Sequence, residues 1–245
     1  MGRHGWGDCG LPADLAHGAL NEVVAAHGDR PAAFGFLFAL AALALGAEPE
    51  TGTGPAVFVA ARRTLTEFGV PYGHGLVQFG LDVDRLILVE AETDKDALWA
   101  LEETLRSEAR PAVVAGALAG GLDLTSSRRL NLAAAPRCTA LVLLTGALTG
   151  TTSAEAAGTS AAATRWRIAA APAARDRFGA LAAPRWHAAL ERCRMDSSTG
   201  SRMGRSMSRP GAWVIEWDHG THRFRVVEGL ADRPPVAGTG LRRAV

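Results

Sequence analysis

Short apolar runs recur along the first part of the chain, and each is bounded by turn residues or by a segment with helical spacing. A run of this kind is typical of a strand that is buried on both faces of a sheet, because neither face has to meet water. The runs predict five strands: Glu22–Ala26, Ala56–Ala60, Arg85–Glu90, Ala112–Ala115 and Thr139–Leu144.

Segments with helical spacing lie between these runs. Pro31–Leu45 has no charged residue and predicts a buried helix, with proline at a permissive early position and Gly46 as its stop. Thr93–Ser107 predicts a second helix, because Thr93 can cap it and two aspartates follow in its first turn. Its predicted inward face carries Ala97, Leu98, Leu101 and Leu105. Further segments are Thr64–Phe68 and Leu124–Ala135, which predict helices, and Tyr72–Phe79, a loop or a short helix.

The pattern changes to consecutive strands after residue 163. The predicted strands are Arg165–Ala170, Arg185–Arg194, Ala212–Trp217 and His222–Val227. Asp218–Thr221 joins the last two and is typical of a hairpin turn. Alternating strands and helices favour parallel pairing, whereas consecutive strands favour antiparallel pairing. We therefore predict an α/β fold, in which a mostly parallel twisted sheet is flanked by helices and carries a C-terminal antiparallel β extension.

This organisation divides the chain into four segments. Residues 1–145 are predicted to form the α/β core, and residues 146–163, rich in Gly, Ala, Ser and Thr, a flexible loop. Residues 164–230 continue the same domain as its β-rich part, and residues 231–245 form a tail rich in Pro and Gly. A chain of 245 residues is long enough for one large core.

Charge is distributed unevenly along a chain whose formal net charge is only +1. Residues 1–163 hold 11 Lys and Arg against 18 Asp and Glu, whereas residues 164–245 hold 15 against 7. A basic C-terminal third is compatible with nucleic acid or with an acidic protein surface. Arginine outnumbers lysine 25 to 1, so a GC-rich genome accounts for the same excess. The charge distribution alone leaves both explanations open.

The remaining composition narrows the class of protein. Cys9, Cys138 and Cys193 are too few and too widely spaced for a disulfide framework or a metal-ligand cluster. The apolar run at residues 31–45 is too short for a comfortable membrane span. These features predict a cytoplasmic protein with no bound metal and no membrane partner. Ser126 and Ser127 lack a nucleophile elbow, so we expect no catalytic residue, and no cofactor is expected either.

Several motifs follow one another in an order that resembles the RecA superfamily across most of residues 10–230. Gly10-Leu11-Pro12 followed by Gly18–Val23 resembles the approach to the first RecA strand. Further matching stretches are Gly80–Asp82 with Arg85–Val89, Asp96–Glu103, Leu122–Leu130, Ser160–Ile168 and the tryptophan-rich hairpin. Within the superfamily the chain looks most like the ImuA family, degenerate RecA relatives from bacterial inducible-mutagenesis operons.

Four ATPase elements of RecA are missing from the matching positions. A phosphate loop, GxxxxGK[ST], should follow the first strand, but Ala25–Phe34 has no lysine, and its Asp29 and Pro31 disfavour phosphate. The places of the catalytic glutamate, the Walker-B aspartate and the γ-phosphate-sensing amide are taken by Arg62-Arg63, Gly116 and Thr145-Gly146. The comparison with RecA therefore implies a core that does not bind nucleotide.

The two loops that hold single-stranded DNA in RecA are also altered. They correspond by position to Gly116–Leu124 and Gly146–Ala163, and neither contains Lys, Arg or an aromatic residue. DNA binding is therefore expected elsewhere, above all in the basic C-terminal third. The candidate residues are Arg128, Arg129, Arg165, Arg167, Arg202, Arg205 and Arg209. Solvated helix, sheet or loop surface is the alternative interpretation of these arginines.

A tryptophan among acidic residues marks a candidate partner surface. Trp99 lies one position off the inward face of its predicted helix. A half-exposed tryptophan with acidic neighbours is suited to a protein interface. The candidate residues are Asp96, Trp99, Glu102 and Glu103. The alternative is a tryptophan that covers the sheet edge.

The resemblance implies a non-catalytic accessory protein of DNA-damage-induced mutagenesis, within the SOS response and DNA repair. The implied partners are a Y-family-polymerase-like protein and an error-prone replicative-type polymerase, which carry out translesion synthesis. RecA and, weakly, single-stranded DNA are further candidate partners. Two alternatives stay open: a DNA-dependent ATPase of the RecA family and a RecA-like inhibitor of cell division. Leu122–Leu130 and Ser160–Ile168 favour the mutagenesis branch over the division inhibitor.

Overall fold

The structure, a computed structural model, describes residues 18–47, 54–137, 140–148, 160–175, 177–180, 182–194 and 211–230. Nine strands within these ranges form one sheet. They are β1 (Leu20–Ala25), β2 (Ala56–Ala61), β3 (Leu86–Ala91), β4 (Val113–Ala117), β5 (Ala140–Thr145), β6 (Thr164–Ala171), β7 (Arg185–Cys193), β8 (Gly211–Asp218) and β9 (Arg223–Leu230). The helices are α1 (Arg30–Ala47), α2 (Arg62–Phe68), α3 (Gly73–Gln78), α4 (Asp94–Arg106) and α5 (Leu124–Ala134).

The strand order β3-β2-β4-β5-β1-β6-β7-β8-β9 joins two kinds of pairing. The strands from β3 to β6 are parallel to one another. Strands β7, β8 and β9 then continue from β6 in antiparallel pairs, which short connections can join. The predicted α/β fold, with a mostly parallel sheet and a C-terminal antiparallel extension, is confirmed.

Helix α1 forms the centre of one face of the sheet. It packs against β4, β5, β1 and β6, and Phe36 and Leu40 have no solvent exposure. The ring centroid of Phe36 lies 5.9 Å from Trp166, 5.9 Å from Trp186 and 5.3 Å from Phe224. This aromatic cluster joins the parallel core to the antiparallel extension. None of the helices in the described ranges combines the length and apolar sequence needed to cross a membrane.

Helices α4 and α5 cover the opposite face of the parallel strands. Thr93 caps α4 by accepting a hydrogen bond from the Asp96 amide at 3.2 Å, as predicted. Asp123 caps α5 in the same way through the Ser126 amide at 2.8 Å. Neither α4 nor α5 packs against β7, β8 or β9. In the described part of the chain, this face of the antiparallel extension therefore has no helix over it.

Several element boundaries differ from the sequence prediction. Helix α1 continues through Gly46 to Ala47, so Gly46 does not stop it. Strand β4 continues through Gly116 to Ala117. Gly116 fits inside the strand because it has no side chain: an added Cβ would lie 2.9 Å from Leu143 Cδ1 and 3.0 Å from the Val59 oxygen. The residue that follows β4 is therefore Leu118, which carries no carboxylate either.

The end of the predicted flexible loop is packed rather than loose. Ser160 and Ala162 are fully buried, and the Ala163 amide donates a hydrogen bond to the Leu20 oxygen at 2.9 Å. Residues 160–163 lie outside the helices and strands, as predicted, but they are packed against the amino end of β1. Residues 149–159 and the tail lie outside the described residues.

Gly116→Ala tests the close packing of β4 and is expected to lower the free energy of unfolding by about 1–3 kcal/mol. The reason is the contact of the new methyl group with Leu143 and with the backbone of Val59. Gly121→Ala is the matched control, since nothing lies within 4 Å of a Cβ added there. Urea unfolding curves of the two variants measure the difference. Equal stability of the two would contradict the packing described here.

Candidate functional site

The loop between β1 and α1 lies at the carboxyl edge of the sheet, where a RecA-like fold would hold phosphate. It contains only residues 26–29. The Asp29 amide donates to the Ala26 oxygen at 3.1 Å, and the Asp29 oxygen accepts from the Ala33 amide at 3.1 Å. Gly28, at φ +83°, allows this tight turn. The turn therefore uses up an amide that a phosphate loop would present to its ligand.

Arg62 lies at the same edge of the sheet, directly after β2, which is separated from β1 by β4 and β5. Its guanidinium binds the carboxylates of Glu90 and Glu92, each at 2.7 Å. The hydrogen bond that Arg62 donates to Glu90 and the negative charge of Glu92 raise the pKa of Arg62 above its ordinary value. All three side chains are largely exposed. The place of the catalytic glutamate of RecA therefore holds a solvated ion-pair cluster that begins with arginine.

A cavity of about 450 Å³ opens beside this cluster. Its lining includes Arg30, Arg62 and Arg63 together with Glu67 and Glu92. Nε of Arg30 is buried and has no hydrogen-bond partner among the described residues. The cavity offers neither a glycine-rich cradle nor a lysine, and no group of His, Cys, Asp and Glu in the described ranges could hold a metal ion.

The loops after β4 and β5 correspond to the DNA-binding loops of RecA, and their first residues are bound to each other. Both carboxylate oxygens of Asp94 accept backbone hydrogen bonds, from the amide of Ala119 at 2.9 Å and that of Gly120 at 2.7 Å. The Gly146 amide donates to the Gly120 oxygen at 2.7 Å, and the Leu148 amide to the Ala119 oxygen at 3.0 Å. These backbone groups are therefore not free to bind a ligand.

A buried ion pair connects the parallel core to the antiparallel extension. Glu22 of β1 and Arg165 of β6 approach to 2.8 Å, and their side chains are only 2% and 5% exposed. The hydroxyl groups of Thr145 and Ser160 donate to the same carboxylate at 2.8 and 2.7 Å. The negative charge is therefore balanced by one cation and held by two neutral donors. Such a set of bonds stabilises the fold and leaves no oxygen of Glu22 without a partner.

The segment 160–163 carries this network to the neighbouring elements. The Ala161 amide donates to Oγ of Ser127 on α5 at 2.8 Å. Nη1 of Arg192 on β7 donates to the Ser160 oxygen at 2.8 Å. Asn131 of α5 accepts from the Leu20 amide at 2.6 Å and binds the Ala161 oxygen. One short segment thus joins α5, β1 and β7.

The uncovered face of the antiparallel extension is densely charged. Arg167 pairs with Glu191, and Arg185 binds Glu216 at 2.6 Å. Arg225 binds the second oxygen of Glu216. Burial tends to raise the pKa of Glu216, but its hydrogen bonds with Arg185 and Arg225 and their charges hold that pKa below its ordinary value. The carboxylate therefore stays ionised and fixes two arginines to one another.

Comparison with known proteins identifies the family. The chain is 36% identical over 219 residues to Protein ImuA from two strains of Caulobacter vibrioides, NA1000/CB15N and ATCC 19089/CB 15. The match covers 81% of this chain and 83% of each relative. The chain belongs to the ImuA family. No protein-family model matches the chain, so its membership of the ImuA family rests on these two relatives.

The predicted partner residues of this ImuA family member do not all share one environment. Trp99 is 64% exposed on α4, and Glu103 and Asp96 are exposed beside it. Glu102 is buried instead, and it binds Arg106 and Arg129. It lies on the side of α4 that faces α5, so the expectation that Glu102 flanks Trp99 on an open surface is wrong.

The predicted DNA-binding arginines are also divided by the fold. Arg128 is exposed on α5, and Arg129 is largely exposed but binds Glu102. Arg167 pairs with Glu191, which leaves it 17% exposed. Arg165 is buried against Glu22. This burial corrects the sequence prediction, which placed Arg165 on a DNA-binding surface. Arg202, Arg205 and Arg209 lie outside the described residues.

Sequence reasoning missed the two residues that hold this network together. Glu22 stands in an otherwise apolar predicted strand, and a carboxylate in such a run indicates a buried charge that needs a cation. That signal was present in the sequence. Ser160 gave no signal, because it lies among small residues of a predicted loop. Only the tertiary structure places Ser160 beside Glu22 and Arg192.

We expect no specific binding of ATP with Mg²⁺. Two features argue against a nucleotide site. The turn of four residues after β1 is closed, and Arg62 stands where the RecA comparison expects the catalytic glutamate. Equilibrium dialysis or titration calorimetry with ATP and Mg²⁺ measures this. Micromolar affinity, or phosphate release stimulated by DNA, would show that the carboxyl edge still works as a nucleotide site.

Arg165→Met is expected to lower the free energy of unfolding by about 3–5 kcal/mol, because it leaves the Glu22 carboxylate buried without its cation. The double variant Glu22→Gln/Arg165→Met should recover much of that loss, since the neutral amide oxygen can still accept from one of the hydroxyl groups of Thr145 and Ser160 and its NH2 group can donate to the other. Chemical denaturation measures both. Arg62→Met breaks a solvated ion pair and is the control expected to change stability little. A double variant no more stable than Arg165→Met would refute the ion-pair account.

Proposed function

We propose that this protein is a non-catalytic accessory protein of DNA-damage-induced mutagenesis, and that it acts as an adaptor in an error-prone translesion polymerase complex. Membership of the ImuA family and the resemblance to inducible-mutagenesis proteins support this role. The closed turn at residues 26–29 supports the absence of ATPase chemistry. An adaptor works through its surfaces, so the exposed surfaces of the described residues decide how the role is carried out.

The observation that carries the proposal is a concentration of exposed apolar side chains. Ten large hydrophobic side chains are exposed in the described residues, and six of them lie between residues 70 and 88. These six are Val70, Tyr72, Val77, Val83, Ile87 and Leu88. Scattered exposed hydrophobic residues need no explanation, but a concentration along one stretch of chain is typical of a protein interface. This stretch leads directly into β3.

Strand β3 lies at one edge of the described sheet, where a strand of the partner could pair with it. It pairs with β2 on one side, and within the described sheet no strand pairs with its other side. Ile87 is opposite Val57 and Leu88 opposite Phe58, so the two exposed residues lie on opposite faces of the sheet. They are 50% and 40% exposed. A partner strand added here would gain backbone hydrogen bonds and an apolar contact on each face.

Trp99 provides a second contact on the same flank of the molecule. Helix α4 packs on β3 as well as on β2 and β4, and Trp99 points away from these strands. Asp96 is bonded to Thr93, and Glu103 forms an exposed ion pair with Arg106 at 3.8 Å, so both carboxylates beside the tryptophan already have partners within the helix. The proposed partner, a polymerase-like protein, would therefore contact β3 first and α4 at its margin.

The alternative functions differ in their tests. An ATPase of the RecA family needs a nucleotide site, which the turn at residues 26–29 does not provide in its described form. A RecA-like division inhibitor would also use an apolar surface, but its partner would be a division protein. The identity of the captured protein therefore separates the division inhibitor from the mutagenesis adaptor.

Deleting the gene is expected to lower ultraviolet-induced mutation frequency without slowing growth of undamaged cells. Complementation with the wild type should restore mutagenesis, whereas Ile87→Lys/Leu88→Lys should not, because lysines on β3 block strand addition. Val227→Lys is the matched control: Val227 is 41% exposed on β9, the opposite edge strand of the described sheet. Purification of each tagged variant identifies the bound proteins, and circular dichroism confirms folding.

Three outcomes would contradict the proposal. The first is an unchanged mutation frequency in the deletion strain. The second is full complementation by the double lysine variant with undiminished capture of the polymerase-like partner. The third is capture of a division protein by the wild type in place of a polymerase-like protein.

A further inference from the structure

The open face of the antiparallel extension presents a corner of arginines at the end of β7. Arg165 and Arg192 are cross-strand neighbours, and Arg194 follows at the end of the strand. Helices α4 and α5 do not cover this face. Arg194 is exposed and Arg192 is half-buried beside segment 160–163, whereas Arg165 is buried.

The carboxylates near this corner are already engaged. Glu22 is held by Arg165, and Glu191 is paired with Arg167. Neither Arg192 nor Arg194 has a carboxylate within salt-bridge distance among the described residues. The charges of Glu22 and Glu191 attract Arg192, but within the described residues neither guanidinium group has a carboxylate bound to it.

Arg192 is also held in place by its surroundings. Its Nη1 donates to the Ser160 oxygen at 2.8 Å, which fixes the guanidinium at the corner. Burial, together with the positive charges of Arg165 and Arg194, lowers the pKa of Arg192 from its ordinary value. The three arginines thus repel one another, and a bound anion would relieve that repulsion.

We propose that Arg192 and Arg194 bind the phosphodiester backbone of single-stranded DNA. This inference rests on the proposed role in DNA-damage-induced mutagenesis, and it places the contact on arginines at the end of β7 rather than on side chains of the loops after β4 and β5. Because phosphates carry no base identity, the contact is independent of sequence and strongly dependent on salt.

The composition of the face favours nucleic acid over an acidic protein. The side chains that face outward between the charged residues include Ala169, Ala189 and Ala212, which offer no anchor of the kind that protein interfaces use. The tryptophans of these strands point the other way: Trp166 and Trp217 are buried beneath the sheet. His187 is the one exposed ring that the described part of β7 presents on this face, so the face supplies mainly charge and suits phosphates better than bases.

Fluorescence anisotropy with a labelled oligothymidylate tests the proposal on the full chain. Arg194→Ala should weaken binding and flatten the slope of log K against log salt by about 0.7, and Arg192→Ala/Arg194→Ala by about 1.4, as expected for one and two lost phosphate contacts on a single strand. Arg192→Lys/Arg194→Lys should keep most of the affinity, because charge rather than shape carries the contact. Oligodeoxyadenylate should bind the wild type as well as oligothymidylate does.

Arg63→Ala/Arg110→Ala removes the same charge from exposed positions elsewhere and should leave the slope unchanged. Circular dichroism shows whether the double alanine variant folds. If it does not fold, the single variant Arg194→Ala tests the proposal, because Arg194 is exposed and its replacement should not disturb the fold. No oligonucleotide binding by the wild type at low salt, or a corner variant with wild-type affinity and slope, would overturn the proposal. Loss of partner capture with intact oligonucleotide binding in that variant would assign the corner to an acidic protein instead.

The edge variant Ile87→Lys/Leu88→Lys keeps the two proposals separate. It leaves the corner intact and should bind the oligonucleotide at least as well as the wild type does. Failure of the adaptor role would appear in partner capture and mutation frequency, whereas failure of the DNA site would appear in the salt slope alone.

Discussion

The buried pair of Glu22 and Arg165 is the constraint on which the rest of the structure depends. A carboxylate in the middle of a central strand is costly unless a cation and hydrogen-bond donors reach it. Satisfying it fixes β6 beside β1, and it brings Ser160 against the sheet, which in turn positions Arg192. The aromatic cluster around Phe36 makes the same connection on the opposite face, but without directional bonds. The antiparallel extension is thereby part of the core's own sheet.

A second constraint acts at the carboxyl edge, where internal hydrogen bonds replace a ligand. The turn after β1 closes on itself, and the loops after β4 and β5 bind each other and Asp94. Backbone groups that serve phosphate or DNA in an active RecA-type core are used here for structure. A fold stabilised in this way keeps its shape without nucleotide, which suits a protein whose proposed work is done by its outer surfaces.

Those surfaces differ in chemistry and lie at different parts of the sheet. The apolar stretch of residues 70–88 ends in one edge strand, β3, while the arginine corner is formed on β6 and β7, beyond the parallel strands. An apolar edge suits a protein partner and a corner of clustered arginines suits phosphate. Placing them apart on one rigid sheet allows a protein and a DNA strand to be held at the same time in the proposed role.

The sequence by itself determined the α/β class, the all-round apolar helix α1, the caps at Thr93 and the loss of the phosphate loop, because local periodicity and residue type decide these features. Tertiary structure alone decided which charges are free. Arg165 and Arg194 look alike in the sequence, yet one is buried against Glu22 and the other exposed, and Glu102 turns toward α5 while its neighbour Glu103 faces water. These ion pairs join residues 143 positions apart, for Glu22 and Arg165, and 27 positions apart, for Glu102 and Arg129. Pairing over such distances leaves no local pattern, so only the folded chain reveals it.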